Sequence, residues 1–143
     1  MLLHPFTNDL KNYDPQKCVE KMVHIIDIVK QEWASTQMII FLTTPRVDNI
    51  KYHTNGQIIN ALIKQQLHDH PSVNLIDHGY MLHDGNPLPD LLTEDGVHLS
   101  EKGVSQLAAN MKRAIHNTLG IETVNSRRSR SRARVTRGFN RKY

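Results

Sequence analysis

The residues best suited to chemistry lie in Leu92-Thr93-Glu94-Asp95-Gly96-Val97-His98-Leu99-Ser100, directly ahead of a helical pattern. An Asp three residues before a His, with a Gly between them, can fold into a turn that carries the carboxylate to one imidazole nitrogen. The carboxylate then fixes the tautomer and stabilises the imidazolium, and the other nitrogen is left as a base. Asp95 and His98 are therefore candidate catalytic residues, with Leu99 turned inward and His98 at the surface. Asp-Gly is also an ordinary turn pair, and a His near a helix start often only caps or meets solvent. The pair becomes a site only if the rest of the chain brings further polar groups to it.

The elements that must do so are legible in order. Leu2 to Phe6 reads as the end of a strand, followed by a polar turn, Thr7-Asn8-Asp9-Leu10. Asp14-Pro15 is a strong helix start, an N-cap acceptor followed by Pro at the first helical position. From there Cys18, Met22, Ile25, Ile26, Val29 and Trp33 recur at three- and four-residue steps, which predicts an amphipathic helix to about Ala34. Met38 to Leu42 is a continuous apolar run, as expected of a central parallel strand covered on both faces. It ends in Thr43-Thr44-Pro45-Arg46. Ile58, Ile59, Leu62, Ile63 and Leu67 predict a second helix, broken at His70-Pro71, and Val73 to Asp77 a further short strand. Residues 78–94, with Gly, Pro and His, read as a long surface loop. Ser100 suits an N-cap for a last helix whose face is Val104, Leu107, Ala108, Met111 and Ile115, with Gly120 at its stop. Strand and helix alternate, which implies a parallel sheet with covering helices. Ligands gather at the carboxyl ends of such strands. Thr7-Asn8-Asp9, Thr43 to Arg46 and Asp77-His78 all follow strand ends, and the Asp95–His98 turn can join them on one rim.

The 143 residues suffice for a single domain with a real core. No run approaches the roughly 18 apolar residues of a membrane span, so no membrane partner is expected. A lone cysteine, Cys18, makes no internal disulfide and falls on an apolar helix face, where it reads as a small buried hydrophobe. That usage permits a reducing, intracellular setting, cytoplasmic or nuclear. The nine His form no metal-ligand pattern and no Gly-rich phosphate loop is present, so no cofactor is expected. The net charge of +4 hides a division: residues 125–143 carry +8, and residues 1–124 carry −4.

Asn8-Asp9 after a short strand, Asp95-x-x-His98 before the last helix, and the intervening helix–strand–Thr-Pro-Arg pattern together resemble the SGNH, or GDSL-type, hydrolases. These are serine esterases and lipases. The resemblance covers residues 1 to about 119, as the later part of such a domain. It implies an α/β fold of the three-layer α/β/α, flavodoxin-like kind, with a parallel sheet and truncated at the N-terminus. His4 to Asp9 aligns with that family's Gly-x-Asn-Asp block, with Phe6 where the Gly is usual. On this resemblance Asn8 donates its side-chain amide to an oxyanion, His98 is the general base, Asp95 orients it, and a small ester is the substrate. The family's Gly-Asp-Ser block, which supplies the nucleophile, has no counterpart. Ser35, Ser72 and Ser105 fall at a helix end, before a strand and within a helix, none in a strand-to-helix elbow, and Ser100 is a cap. The chain alone is therefore expected to be inactive, since triad members act as a unit. The resemblance also puts the missing first strand beside the N-terminal one, so an exposed sheet edge and self-association through it are expected.

Residues 1–120 are thus expected to form a partial hydrolase-like domain and residues 121–143 a disordered basic tail. Arg127, Arg128, Arg130, Arg132 and Arg134 alternate with Ser and Ala in a pattern suited to nucleic-acid phosphates and too densely charged to pack. The competing reading is a non-catalytic remnant or binding module that keeps the rim residues and uses this tail.

Overall fold

The computed structural model describes residues 1–11 and 14–121. The segment expected to be a basic tail lies, apart from Ile121, outside the described residues. Three parallel strands form the sheet in the order β1 (Leu2–Leu3), β2 (Met38–Phe41), β3 (Val73–Ile76). Leu2 is in register with Ile39, and Met38 with Val73. Helix α1 (Pro15–Glu32) connects the first two strands and α2 (Ile50–Leu67) the next two. Helix α3 (Glu101–Thr118) follows the long connection after β3.

The apolar run of β2 explains the layering. Its side chains alternate, so Met38, Ile40 and Leu42 meet Met22, Ile26, Ile59 and Ile63 from α1 and α2. Ile39 and Phe41 face the other way onto Met111, Ala114 and Ile115 of α3. All five residues of the run are buried, as a sheet covered on both faces requires. The result is a three-layer α/β/α arrangement with a parallel sheet, in agreement with the expected fold class.

Helix starts follow their sequence signals. The Asp14 side chain accepts from the Gln16 amide at 2.8 Å, and Ser100 Oγ accepts from the Gly103 amide at 3.1 Å. Asn49 caps α2 by accepting from the Lys51 amide at 2.9 Å, so this helix begins well ahead of its first periodic apolar residue. Cys18 is buried, as expected.

Four expectations are corrected, one of them the buried face of α3, from which Val104, 54% exposed, and Ala108 turn out to solvent. The first strand ends at Leu3 rather than Phe6, because Phe6 takes the left-handed backbone conformation, φ 78°, and turns the chain out of the ladder. Trp33 does not extend the buried stripe of α1. It is the residue after the helix ends, 57% exposed, and Ile25 also faces solvent. The stretch 78–94 is more ordered than a loop. It holds two single 3-10 turns and a hairpin of β4 (Leu82–His83) and β5 (Asn86–Pro87), closed by Asp84-Gly85 with both φ positive. Among the described residues β1 pairs with β2 on one side only, and Leu2 is 40% exposed. This is the edge on which the expected self-association rests.

Candidate functional site

The Asp95–His98 turn is closed by its own backbone. The Thr93 amide donates to the His98 carbonyl at 2.8 Å, and the Gly96 amide to the Thr93 carbonyl at 2.9 Å. Inside this turn Asp95 is saturated with donors. Its Oδ1 accepts from Thr93 Oγ1 at 2.7 Å, the Val97 amide at 2.8 Å and the His98 amide at 2.9 Å. Its Oδ2 lies 2.5 Å from His98 Nδ1. The imidazole first, then the Thr93 hydroxyl and the two amides, hold the Asp95 carboxyl well below the usual carboxylate range. Asp95 therefore stays ionised and accepts from Nδ1–H, which fixes the tautomer with Nε2 unprotonated in the neutral ring. Nε2 has no hydrogen-bond partner among the described residues, and the side chain is 78% exposed.

The turn is fastened to the segment that follows β2. The Val47 amide donates to the Gly96 carbonyl at 2.8 Å. Gly96 has φ 68°, and an added Cβ would fall 2.6 Å from Val47 Cγ2 and 2.8 Å from the Asp48 amide nitrogen. Immediately before Val47, the Arg46 side chain is 2% exposed. Its Nε and Nη2 bind the two oxygens of Asp48 at 2.6 and 2.5 Å, its Nη1 donates to the Thr7 carbonyl at 3.1 Å, and its guanidinium lies 5.1 Å from the Tyr52 ring centroid. Asp48 holds Arg46 firmly cationic, and Arg46 in turn keeps the Asp48 carboxyl low.

Thr7 directly precedes Asn8. Asn8 is exposed, with no side-chain hydrogen bond among the described residues, and it makes none to Asp95 or His98. It is tied to the pair through Thr7, Arg46, Val47 and Gly96 rather than by a hydrogen bond of its own. Phe6, standing where the resembled block has glycine, supplies a glycine-like backbone. A left-handed non-glycine residue costs on the order of 1–2 kcal/mol, a strain that the burial of the Phe6 ring offsets.

A cavity of about 230 Å3 opens elsewhere on the same rim, where β2 and β3 end against α2. Thr43, Thr44, Asn60, Lys64, Asp77 and His78 contribute to its wall, and Asn8, Asp95 and His98 do not. Lys64 pairs with Asp77 at its mouth. His78 is 3% exposed and stacks on Phe41 with ring centroids 5.8 Å apart. Its Nδ1 lies 3.2 Å from the Tyr80 hydroxyl, and the His4 ring meets it edge-on at 5.5 Å. Burial first, and the adjacent His4 second, lower its pKa to about 4, against the opposing pull of Asp77 and the Leu42 backbone.

Sequence reasoning places the Thr43–Arg46 and Asp77–His78 segments on the rim but misses the roles of Arg46 and His78. An Arg after a strand ordinarily reads as solvated, and burial of a single His leaves no periodic mark. The proline before Arg46, at the end of an all-apolar strand, is the only signal the sequence offers.

A solved structure from Streptococcus pneumonia, provisionally described as a platelet activating factor, matches with a TM-score of 0.66 at 21% identity. The match covers 78% of this chain and 57% of that one. A GDSL-like lipase from Bacteroides thetaiotaomicron matches with a TM-score of 0.68 at 18% identity, covering 82% of this chain and 62% of the other. The fold is that of the GDSL-like lipases. The chain spans about three fifths of the length of these two proteins. No protein-family model and no curated protein sequence matches it. In this chain the Asp95–His98 turn directly precedes α3, and Asn8 follows β1.

Proposed function

We propose that His98, Asp95 and Asn8 are the base, orienting acid and oxyanion donor of a serine-type acyl-ester hydrolase site, and that this chain lacks the nucleophile which would complete it. The observation that carries the reading is the 2.5 Å contact of Asp95 Oδ2 with His98 Nδ1, which leaves Nε2 open on the rim of a GDSL-like sheet. Ser72 accepts a hydrogen bond from Lys30, and Ser100 is committed to the Asp90 carbonyl and the Gly103 amide. Ser35 and Ser105 are exposed at the end of α1 and within α3. None of these serines bonds to His98. With base and acid but no serine hydroxyl at His98 among the described residues, the chain alone is read as a silent relative of such enzymes, or as one part of a site completed by another polypeptide segment.

Fluorophosphonate is expected to label no serine of the chain. A serine labelled in the intact chain and lost on His98→Ala would overturn the silence. An activated ester such as p-nitrophenyl acetate is expected to hydrolyse slowly through the free imidazole nitrogen. His98→Ala should lower that rate, with the other exposed histidines supplying what remains. An unchanged rate removes His98 from the role of base.

The charge division supports a second activity. We propose that Arg127, Arg128, Arg130, Arg132 and Arg134 attach the chain to nucleic-acid phosphates, because residues 125–143 carry +8 beside a body of −4. In a gel-shift comparison the full chain should bind RNA or DNA, and residues 1–124 should not. With up to eight contacts, log K is expected to fall with log salt at a slope of about −7 or shallower. Equal binding by both would remove the tail from this role.

A further inference from the structure

Arg46 is more elaborately held than its place in the core demands. An ion pair with a buried arginine and a partner open to solvent contributes little net stability, and an apolar residue of similar volume often serves as well in the arginine's place. Yet Arg46 makes a bidentate pair with Asp48, a stacking contact with Tyr52 and a further N–H bond to the Thr7 carbonyl. That last bond reaches across 39 residues of sequence to the residue beside Asn8. The next residue, Val47, holds the Gly96 carbonyl, and Gly96 sits between Asp95 and His98. Asp95 also bears electrostatically on the guanidinium.

We infer that Arg46 is a positioning residue that sets the Asn8 loop relative to the Asp95–His98 turn. This rests on the proposed base-and-oxyanion reading for its purpose, though its geometry is independent of that reading. The guanidinium suits the task because its planar fork offers donors in fixed directions: two go to one carboxylate and a third to a carbonyl of another segment. A lysine ammonium has no such fork. Arg46 touches no reacting atom. It determines where the Asn8 amide stands when His98 acts.

The test reads one wing of the site from the other, in the intact chain, by amide NMR. Asp95→Asn is expected to shift the Thr7 and Asn8 signals in the otherwise native protein. In the background Arg46→Met with Asp48→Leu, which fills the buried arginine's place with an apolar chain, removes its partly exposed partner and guards against loss of folding, that response is expected to disappear while the core signals persist. Arg46→Lys should fold and fail to restore it. A residue that only filled the core would leave the response intact in the apolar background. Persistence there, or no response in the native background, overturns the inference. The readout needs no ester turnover. Loss of His98-dependent hydrolysis with the response preserved sinks the hydrolase reading alone, and the reverse sinks only the role of Arg46.

Discussion

Gly96→Ala is expected to lower the melting temperature by roughly 10–20 °C, equivalent to about 3 kcal/mol in a domain of this size. Two effects add. Alanine at φ 68° costs on the order of 1–2 kcal/mol for the left-handed conformation. Its Cβ would also stand 2.6 Å from Val47 Cγ2 and 2.8 Å from the Asp48 amide nitrogen, so backbone must move. Overpacking of this kind typically costs about 1–3 kcal/mol. Gly85→Ala is the control. Gly85 has φ 78°, and a Cβ added there meets nothing within 4 Å, so that variant bears the conformational cost without a clash. Its melting temperature should fall by roughly a third as much. The movement in Gly96→Ala must also loosen the hydrogen bond from Val47 and with it the seat of the Asp95–His98 turn. Equal losses in the two variants would mean that the close docking of the turn on Val47 and Asp48 contributes nothing.

Acidification from pH 7 to pH 4.5 is expected to cost much of the protein's stability through His78. In the unfolded chain the imidazole takes up its proton near pH 6.5, and in the folded protein not until about pH 4. Between those values the unfolded state binds more protons, so stability falls as pH falls through this window. The full difference corresponds to about 3 kcal/mol. His4, whose pKa burial also lowers, adds to the loss in the same direction. Asp48, Asp77, Asp90 and Asp95 have lowered values instead, so their contributions are lost as pH falls from the ordinary carboxylate range downward. Most of the window between pH 6.5 and 4 is left to His78 and His4. Urea midpoints measured at pH 7 and 4.5 check this. His78→Phe, which keeps a ring to stack on Phe41, should flatten the difference. A difference as steep as in the native chain would place the acid sensitivity elsewhere.

Asp95 and His98 were legible because their relation is local. Three residues of spacing and one glycine suffice to close a turn, and the short contact between them needs little from the rest of the molecule. The helix starts at Asp14 and Ser100 were legible for the same reason, since a cap is satisfied within one helical turn. Asn49 escaped notice because the apolar pattern of α2 begins well after the cap. The apolar stripe of α1 also includes, by spacing, Trp33 at its end and Ile25 in its middle, and both face solvent. Periodicity records which residues could be buried, and only the packed neighbours decide which are.

The alternation of apolar runs and amphipathic segments was enough by itself to determine a parallel α/β sheet, because each such strand must be covered on both faces by the helices between. The sequence also determined the chemistry available to the Asp95–His98 turn. Tertiary structure alone decided the rest: that Arg46 is buried against Asp48 and reaches Thr7, that Gly96 docks too closely on Val47 for any side chain, that Phe6 adopts a glycine-like backbone, and that His78 is pressed against Phe41 beside His4. Each depends on groups distant in sequence, and their burial, charge and clearances come into being only when those segments meet.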